Sequence, residues 1–290
     1  LFRSVIDLNS HYFVPELLLN SKIKEILEEL FIEKREIDIS NWKNFTSKLN
    51  RGGKIKKVGI LGKYIELKDA YISLKEALIH SQVETNTKIE TIWISSEDLK
   101  NLEKNINEVD GVIIPGGFGK RGIEGMIEGA KICRLSKKPL LGICLGLQII
   151  IIEFFRNVVG LNDSNSTEFD EKTSNPIIDL LSSQRDIKFL GGTMHLGESE
   201  LIIKENTKAY EIYKRIFTKE RHRHRYTFNL SYLDILRKNG MLISGRSRDG
   251  EVEIIELKEH PFYIGVQFHP EFSSKPLYPH PIFSSFIKSL

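Results

Sequence analysis

The chain predicts an α/β fold: an open, mostly parallel sheet with helices on both faces, plus an N-terminal helical appendage. Three observations predict it. From about residue 54 onward, short apolar runs alternate with longer amphipathic segments across short connections, the signature of strand–helix repeats winding a parallel sheet. Two of those runs, "VIIPGG" and "PLLGIC", end directly in glycine turns, and in such sheets ligands collect at the carboxyl ends of strands. The first fifty residues lack the alternation and stop at the flexible Arg51-Gly52-Gly53-Lys54.

The elements follow in order. "ELLLNSKIKEILEELF" carries Leu19, Ile23, Ile26, Leu27 and Leu30 at helical spacing, and "SNWKNFTSKL" is a second short helix with Ser40 as its N-cap. Residues 1–53 therefore form the appendage and residues 54–290 the main domain. There, "IKKVGILGKY" is a strand and "DAYISLKEALIH" a helix opened by Asp69; "KIETIWI" is a strand, "SEDLKNLEKNI" a helix, and "DGVIIPGG" a strand. "EGMIEGAKICRL" is a helix, "KPLLGIC" a strand, and "GLQIIIIEFFRNV" a helix. A polar stretch from about Asn162 to Ser183 reads as a long loop. Strands at "MLISGRS", "EVEIIEL" and "FYIGVQF" and a helix from about Pro281 close the chain.

Composition narrows the function classes. The 290 residues are 40% hydrophobic and 28% charged, with a net charge of +3 that is too small to argue for nucleic acid. Two cysteines, Cys133 and Cys144, cannot build a disulfide framework or a four-cysteine metal site, which points to a reducing, cytoplasmic setting. No apolar run approaches the ~18–20 residues of a membrane span. The start lacks both an initiator methionine and a signal-peptide pattern, as a fragment or processed product would.

Chemistry concentrates at three places. Pro115-Gly116-Gly117-Phe118-Gly119 follows an apolar strand, where its glycines can turn N–H groups toward an anion. Gly142-Ile143-Cys144-Leu145-Gly146 is the cysteine form of a nucleophile elbow, with Cys144 exposed on a strained strand-to-helix turn. The dipole of the helix that begins there favours a thiolate. His269 ends a third apolar strand in "VQFHPEF", with Glu271 two residues on. A cysteine nucleophile, a base and a carboxylate that orients the base form a working triad. Each alone has a plain structural reading; three at strand ends together do not. Cys133, on a helix away from strand ends, reads as a core residue.

"PGGFG", "GICLGLQ" and "QFHPEF", in this order, resemble the class I glutamine amidotransferases, a family with a flavodoxin-like sheet. "VGILGKYIELKDAY", "NSTEF", "GGTMHLG", "RHRHRY" and "HPEFSSKP" narrow the resemblance to the amidotransferase domain of the CTP synthase family, from about Lys54 onward. "YFVPELLL" resembles the tail of that family's synthetase domain. The resemblance implies hydrolysis of L-glutamine by Cys144, His269 and Glu271, without metal or cofactor. It implies glutamine and oxyanion contacts from Gly117, Leu145, Gly146, Leu147, Gln148, Glu168 and Arg225. Glu168 suits the substrate's α-ammonium and Arg225 its α-carboxylate.

The resemblance further implies that ammonia passes to a synthetase domain using ATP, Mg and UTP, in a homo-tetrameric enzyme activated by GTP. Phe118, Arg121 and His195 mark the GTP-lid region. His195 stands where the family carries arginine, which weakens the expectation of GTP control, and the stretch between Glu168 and Gly191 is short for the family. No G-x-x-x-x-G-K-[ST] phosphate loop occurs in this sequence. Read without the family, Arg221-His222-Arg223-His224-Arg225 is a solvated basic face or a weak nucleic-acid patch, and the absence of a second basic cluster with the small net charge argues against the latter. A stand-alone cysteine amidohydrolase and a non-catalytic interaction module are the competing readings; neither would need Gln148, Glu168, Arg225 and the triad together.

Overall fold

Isoleucine- and valine-rich runs form strands because branched side chains pack well on a pleated surface, and here they alternate between two cores. The computed structural model describes residues 8–20, 25–26, 29–30, 38–49, 53–63, 68–180 and 194–290. They divide into two compact units, Leu1–Gly53 and Lys54–Leu290.

In the first unit, α1 (Val14–Leu19) and α2 (Ser40–Leu49) accompany an aromatic cluster. Tyr12, Trp42 and Phe45 pack with centroids 5.2–6.2 Å apart, and Trp42 Nε1 donates to the Tyr12 carbonyl at 2.8 Å. Ser40 is not the cap the sequence predicts. It is the first helical residue, and the Asp38 carboxylate accepts its N–H at 2.8 Å. Much of the helix expected over "ELLLNSKIKEILEELF" lies outside the described residues.

The second unit begins with β1 (Lys54–Gly62), α3 (Ile72–Thr85), β2 (Thr87–Ser95), α4 (Leu102–Asn107), β3 (Gly111–Ile114), α5 (Ile123–Ser136), β4 (Leu140–Ile143) and α6 (Leu145–Phe154). It continues with β5 (Ser164–Ser166), β6 (Asn175–Leu180), β7 (His195–Ile203), α7 (Lys208–Tyr213), β8 (Phe217–His224), β9 (Tyr226–Phe228) and α8 (Leu233–Lys238). β10 (Met241–Ser247), β11 (Val252–Leu257), β12 (Tyr263–Val266) and α9 (Pro281–Ser289) complete it.

Among the described residues, nine strands form one sheet in the order β2-β1-β3-β4-β12-β11-β10-β7-β8. The five from β2 to β12 are mutually parallel, and an antiparallel wing runs from β11 to β8. Strand side chains face two cores in turn. Leu61, Val112, Ile114 and Leu140 pack with α5 and α6, while Ile60, Ile113, Leu141 and Ile143 pack with α3 and α9. α6 is buried all round, and its run Ile149–Ile152 is fully buried, each side chain contributing about 1.5–3 kcal/mol.

The sequence misplaces four features. The helix expected over "SEDLKNLEKNI" shortens to α4, with turns before it. The expected loop from Asn162 holds β5 and β6, which join β9 in a three-stranded sheet; its residues beyond 180 lie outside the described residues. β7, α7, β9 and α8 lie where the sequence predicts no element. The "solvated basic face" is strand β8, in which His222 and His224 are buried while Arg221 and Arg223 are exposed.

Candidate active site

Parallel pairing sets the site. β12 runs beside β4 with Val266 opposite Ile143, and Cys144 N–H donates to the Val266 carbonyl at 2.7 Å. The ends of both strands therefore open at one edge of the sheet. β8 comes last in the hydrogen-bond order, yet its backbone reaches this edge. The Arg221 carbonyl accepts from His269 N–H at 2.8 Å, and the Arg223 carbonyl lies 3.9 Å from Cys144 Sγ.

Cys144 sits at φ 53°, ψ −99°, in the left-handed half of backbone space where a non-glycine residue is strained. The elbow glycines are there for space. A Cβ on Gly142 would lie 2.6 Å from the Gly146 backbone, and one on Gly146 would lie 2.1 Å from the Ile114 carbonyl oxygen. Neither has a positive φ, so close approach of helix to sheet is their reason. Gly116 is likewise required by contact, since a Cβ there would stand 2.7 Å from His269 Cε1. Of the "PGGFG" glycines only Gly119, at φ 73°, uses the conformational freedom the sequence suggests.

Cys144, His269 and Glu271 come together. His269 Nδ1 is 2.7 Å from Glu271 Oε1, and the ring stacks on Phe272 with centroids 4.9 Å apart. With Nδ1 committed to Glu271, Nε2 is the nitrogen left for Cys144; it is buried with no hydrogen-bond partner. Burial pulls the His269 pKa down, but the neighbouring Cys144 and the hydrogen-bonded carboxylate of Glu271 override it and raise it to about 10. The arrangement favours an imidazolium beside the Cys144 sulfur. Gln267 Nε2 donates to Cys144 Sγ at 3.8 Å, a contact the sequence reading missed although it lies inside "QFHPEF".

The remaining expected residues divide. As first residue of α6, Leu145 carries one of the N–H groups a helix leaves without an internal partner. Gly117 is its neighbour, for a Cβ on Gly117 would meet Leu145 Cδ2 at 3.3 Å. The Leu145 and Leu147 side chains lie in the core, so only their backbones can serve the site. Gln148 is buried, and its Nε2 donates to the Tyr226 carbonyl at 3.0 Å. Glu168 Oε1 accepts the Gly119 N–H at 2.6 Å. Burial raises its pKa, against that hydrogen bond and the charges of Lys63 and Arg225. Glu168 and Arg225 thus feel each other's charge. A cavity of about 200 Å³ is bordered by Gly116, Gly117, Phe118, Arg223, His269 and Glu271.

Lys63 is a second residue that sequence reasoning overlooked. It follows β1 and is only 5% exposed. Its ammonium donates to the carbonyls of Phe118 and Gly119, the latter at 2.5 Å. Burial lowers its pKa, and the charge of Glu168 opposes that. The available signal was a lysine directly after the apolar run of residues 58–62, at the same sheet edge.

The three lid residues do not gather into one cluster. Phe118 is exposed. Arg121 Nη2 donates to the Lys63 carbonyl at 2.8 Å, and its Nε lies 3.8 Å from Glu97. His195 packs instead on His222, with rings parallel within 7° and 4.5 Å apart, and bonds Ser199 at 2.7 Å. Among the described residues no group of three or more His, Cys, Asp or Glu is arranged to hold a metal, and no helix is long and apolar enough to cross a membrane. Cys133 is fully buried, and burial pushes its thiol up to about 12.

Comparison with known proteins places this geometry in a family. A model described as glutamine amidotransferase class-I matches residues 66–289. CTP synthase of Hydrogenobaculum sp. (strain Y04AAS1) is 49% identical over 288 residues, covering 99% of this chain and 54% of the relative. CTP synthase of Sulfolobus acidocaldarius is 45% identical over 285 residues, covering 97% and 54%. The chain spans about half the length of these curated relatives. The solved glutaminase domain of Trypanosoma brucei CTPS with bound acivicin is 34% identical, with 81% of this chain and 93% of that chain covered and a TM-score of 0.76. The chain belongs to the class-I glutamine amidotransferase family, in the branch of the CTP synthase glutaminase domains.

Proposed function

We propose that the chain hydrolyses L-glutamine to glutamate and ammonia, and that the ammonia serves ATP-dependent amination of UTP to CTP in a synthetase domain of the same enzyme. One observation carries the reading: a strained Cys144 stands beside a histidine whose Nδ1 is held by Glu271 and whose Nε2 is buried without a partner. Cys144 thiolate attacks the side-chain amide carbon, forming a C–S bond. The N–H groups of Gly117 and Leu145 receive the oxyanion, commonly the largest catalytic contribution in acyl transfer. Imidazolium Nε2 protonates the nitrogen as the C–N bond breaks and ammonia leaves. The now neutral His269 takes a proton from water, which attacks the thioester and returns the thiolate. Glu168 holds the substrate ammonium and Arg225 its carboxylate; Gln148 braces the floor through Tyr226.

Residues 1–53 are proposed as the tail of the synthetase domain and its linker. ATP, Mg and UTP belong to the rest of that domain, in a cytoplasmic homo-tetramer activated by GTP. Burial and the neighbouring His222 lower the pKa of His195, so the ring is neutral at pH 7 and grips a nucleotide more weakly than an arginine would. The test is release of ammonia from glutamine by the chain, with labelling of Cys144 by a glutamine-like chloroketone or acivicin. Labelling elsewhere, or no glutamine-dependent ammonia, overturns the reading.

A further inference from the structure

The glycine loop that follows β3 carries one of the two oxyanion donors, and glycine-rich loops are intrinsically mobile. Something must hold Gly117 in place. Lys63 runs under this loop: a Cβ on Gly117 would stand 3.5 Å from Lys63 Cε, and one on Gly122 would stand 3.4 Å from Lys63 Cβ. Its ammonium spans the consecutive carbonyls of Phe118 and Gly119, and its own carbonyl accepts from Arg121. From the other side Glu168 accepts the N–H of Gly119. A buried ammonium is costly unless its donors are satisfied, so a loop position that takes two of them is strongly preferred over one that takes none.

We propose that Lys63 is a positioning residue for glutamine hydrolysis: by clamping the carbonyls of Phe118 and Gly119 it aims the Gly117 N–H at the developing oxyanion. The inference rests on the proposed glutaminase reading. Lys63 and Glu168 form one device, gripping the loop by its carbonyls and by an N–H. Glu168 also meets the substrate ammonium, so substrate binding and oxyanion geometry share a residue. Because the oxyanion exists only in the transition state, loosening the clamp should slow turnover without weakening binding.

The experiment compares the 290-residue chain with Lys63→Met, which keeps length and apolar stem, and Lys63→Arg, which keeps charge and donors. Glutamine turnover is measured alongside alkylation of Cys144 by iodoacetamide, a displacement at a saturated carbon that forms no oxyanion. For Lys63→Met we expect kcat to fall about 10²-fold, the scale of losing one oxyanion donor. KM and the alkylation rate should stay within about threefold of the parent, because neither depends on a transition-state oxyanion. Lys63→Arg should recover at least about a tenth of parental kcat by restoring charged donors. Unchanged kcat overturns the proposal. So does a parallel fall in turnover and alkylation, which would make Lys63 a prop for the nucleophile or the fold, and so does a rise in KM alone. A parent with no turnover sinks the glutaminase reading instead. The clamp is then read from hydrogen exchange at the Phe118 and Gly119 amides, which Lys63→Met must accelerate; equal exchange overturns it.

Discussion

Cys133 and Cys144 are both free, both buried, and both flanked by helix, yet their surroundings differ in every respect that matters to a thiol. Cys133 lies inside α5 on regular helical backbone, among core side chains, with burial pushing its pKa to about 12 and Lys138 only partly opposing. Cys144 precedes a helix at φ 53°, between two glycines that no larger residue could replace, facing Gln267 and His269. Burial therefore does not distinguish an inert cysteine from a reactive one. Backbone strain, a helix N-terminus and an adjacent base do.

The largest effect expected from this contrast is at the thiols themselves. Cys144→Ala should abolish glutamine hydrolysis, a loss of at least about 10³-fold for a missing nucleophile, with the fold intact by circular dichroism. Cys133→Ala should keep turnover within about twofold while costing about 1–2 kcal/mol in denaturant titration, as a small core cavity does. If Cys133→Ala abolished turnover and Cys144→Ala spared it, the comparison would fail outright.

Glu271→Gln comes next. The raised pKa of His269 depends on Cys144 and Glu271 together overcoming burial, which pulls the imidazolium down. Without the carboxylate, burial is opposed by Cys144 alone, and the protonated form that delivers a proton to ammonia is lost at lower pH. The basic limb of the kcat/KM profile should move to lower pH, and turnover should fall about 10²–10³-fold through misorientation of the ring. An unmoved basic limb would mean Glu271 does not set the charge of His269.

The elbow glycines give a smaller, sharper test. Gly146→Ala forces a Cβ to within 2.1 Å of the Ile114 carbonyl, so stability should fall about 1–3 kcal/mol by overpacking, with turnover reduced as α6 shifts. Gly119→Ala has open space around its Cβ and suffers only from φ 73°, a cost of about 1–2 kcal/mol. Turnover should fall more in Gly146→Ala than in Gly119→Ala; the reverse order would place the critical geometry in the loop rather than the elbow.

The same contrast explains what could be read from residue order. The parallel strands and the convergence of Cys144, His269 and Glu271 were legible because both write long local signals: apolar runs, then a glycine or Cys144 or His269 at a strand end. The antiparallel wing was legible only in β10 and β11. β5 is Ser164-Asn165-Ser166, too short and polar for periodicity, and is defined by pairing with β6. β8 hides because its alternation is between arginine and histidine, and histidine is rarely counted as an inward residue. Glu220, His222 and His224 are nonetheless buried, His222 against Glu253 at 2.9 Å and Glu220 against His280 at 2.9 Å. Lys63 was invisible for a related reason: a lysine at a strand end reads as solvated until tertiary structure supplies the carbonyls that hold it.

The histidines of the wing supply the smallest prediction, one about stability rather than chemistry. His195 stacks on His222 and lies 5.1 Å from His224. Burial first, then the neighbouring rings, lowers the pKa of both His195 and His224; Asp249 opposes this at His195, and the Tyr226 carbonyl opposes it at His224. Folded, these rings resist protonation, whereas in the unfolded chain they titrate near the ordinary ~6.5. The unfolded state therefore binds more protons below that value. The stabilising contribution is complete above about pH 6.5 and is lost as pH falls toward the depressed folded values. His195→Phe keeps a ring on His222 and removes one titrating group. The loss of Tm between pH 7 and 5.5 should shrink by about 1–2 °C, a small change for a chain of this size. His269, raised rather than lowered, contributes stability that is present in full below about pH 6.5 and is lost as pH rises toward about 10, so it does not mask the effect. A Tm loss in His195→Phe equal to or larger than the parent's would show that His195 is already solvated, and that the antiparallel wing packs its histidines less tightly than the stack implies.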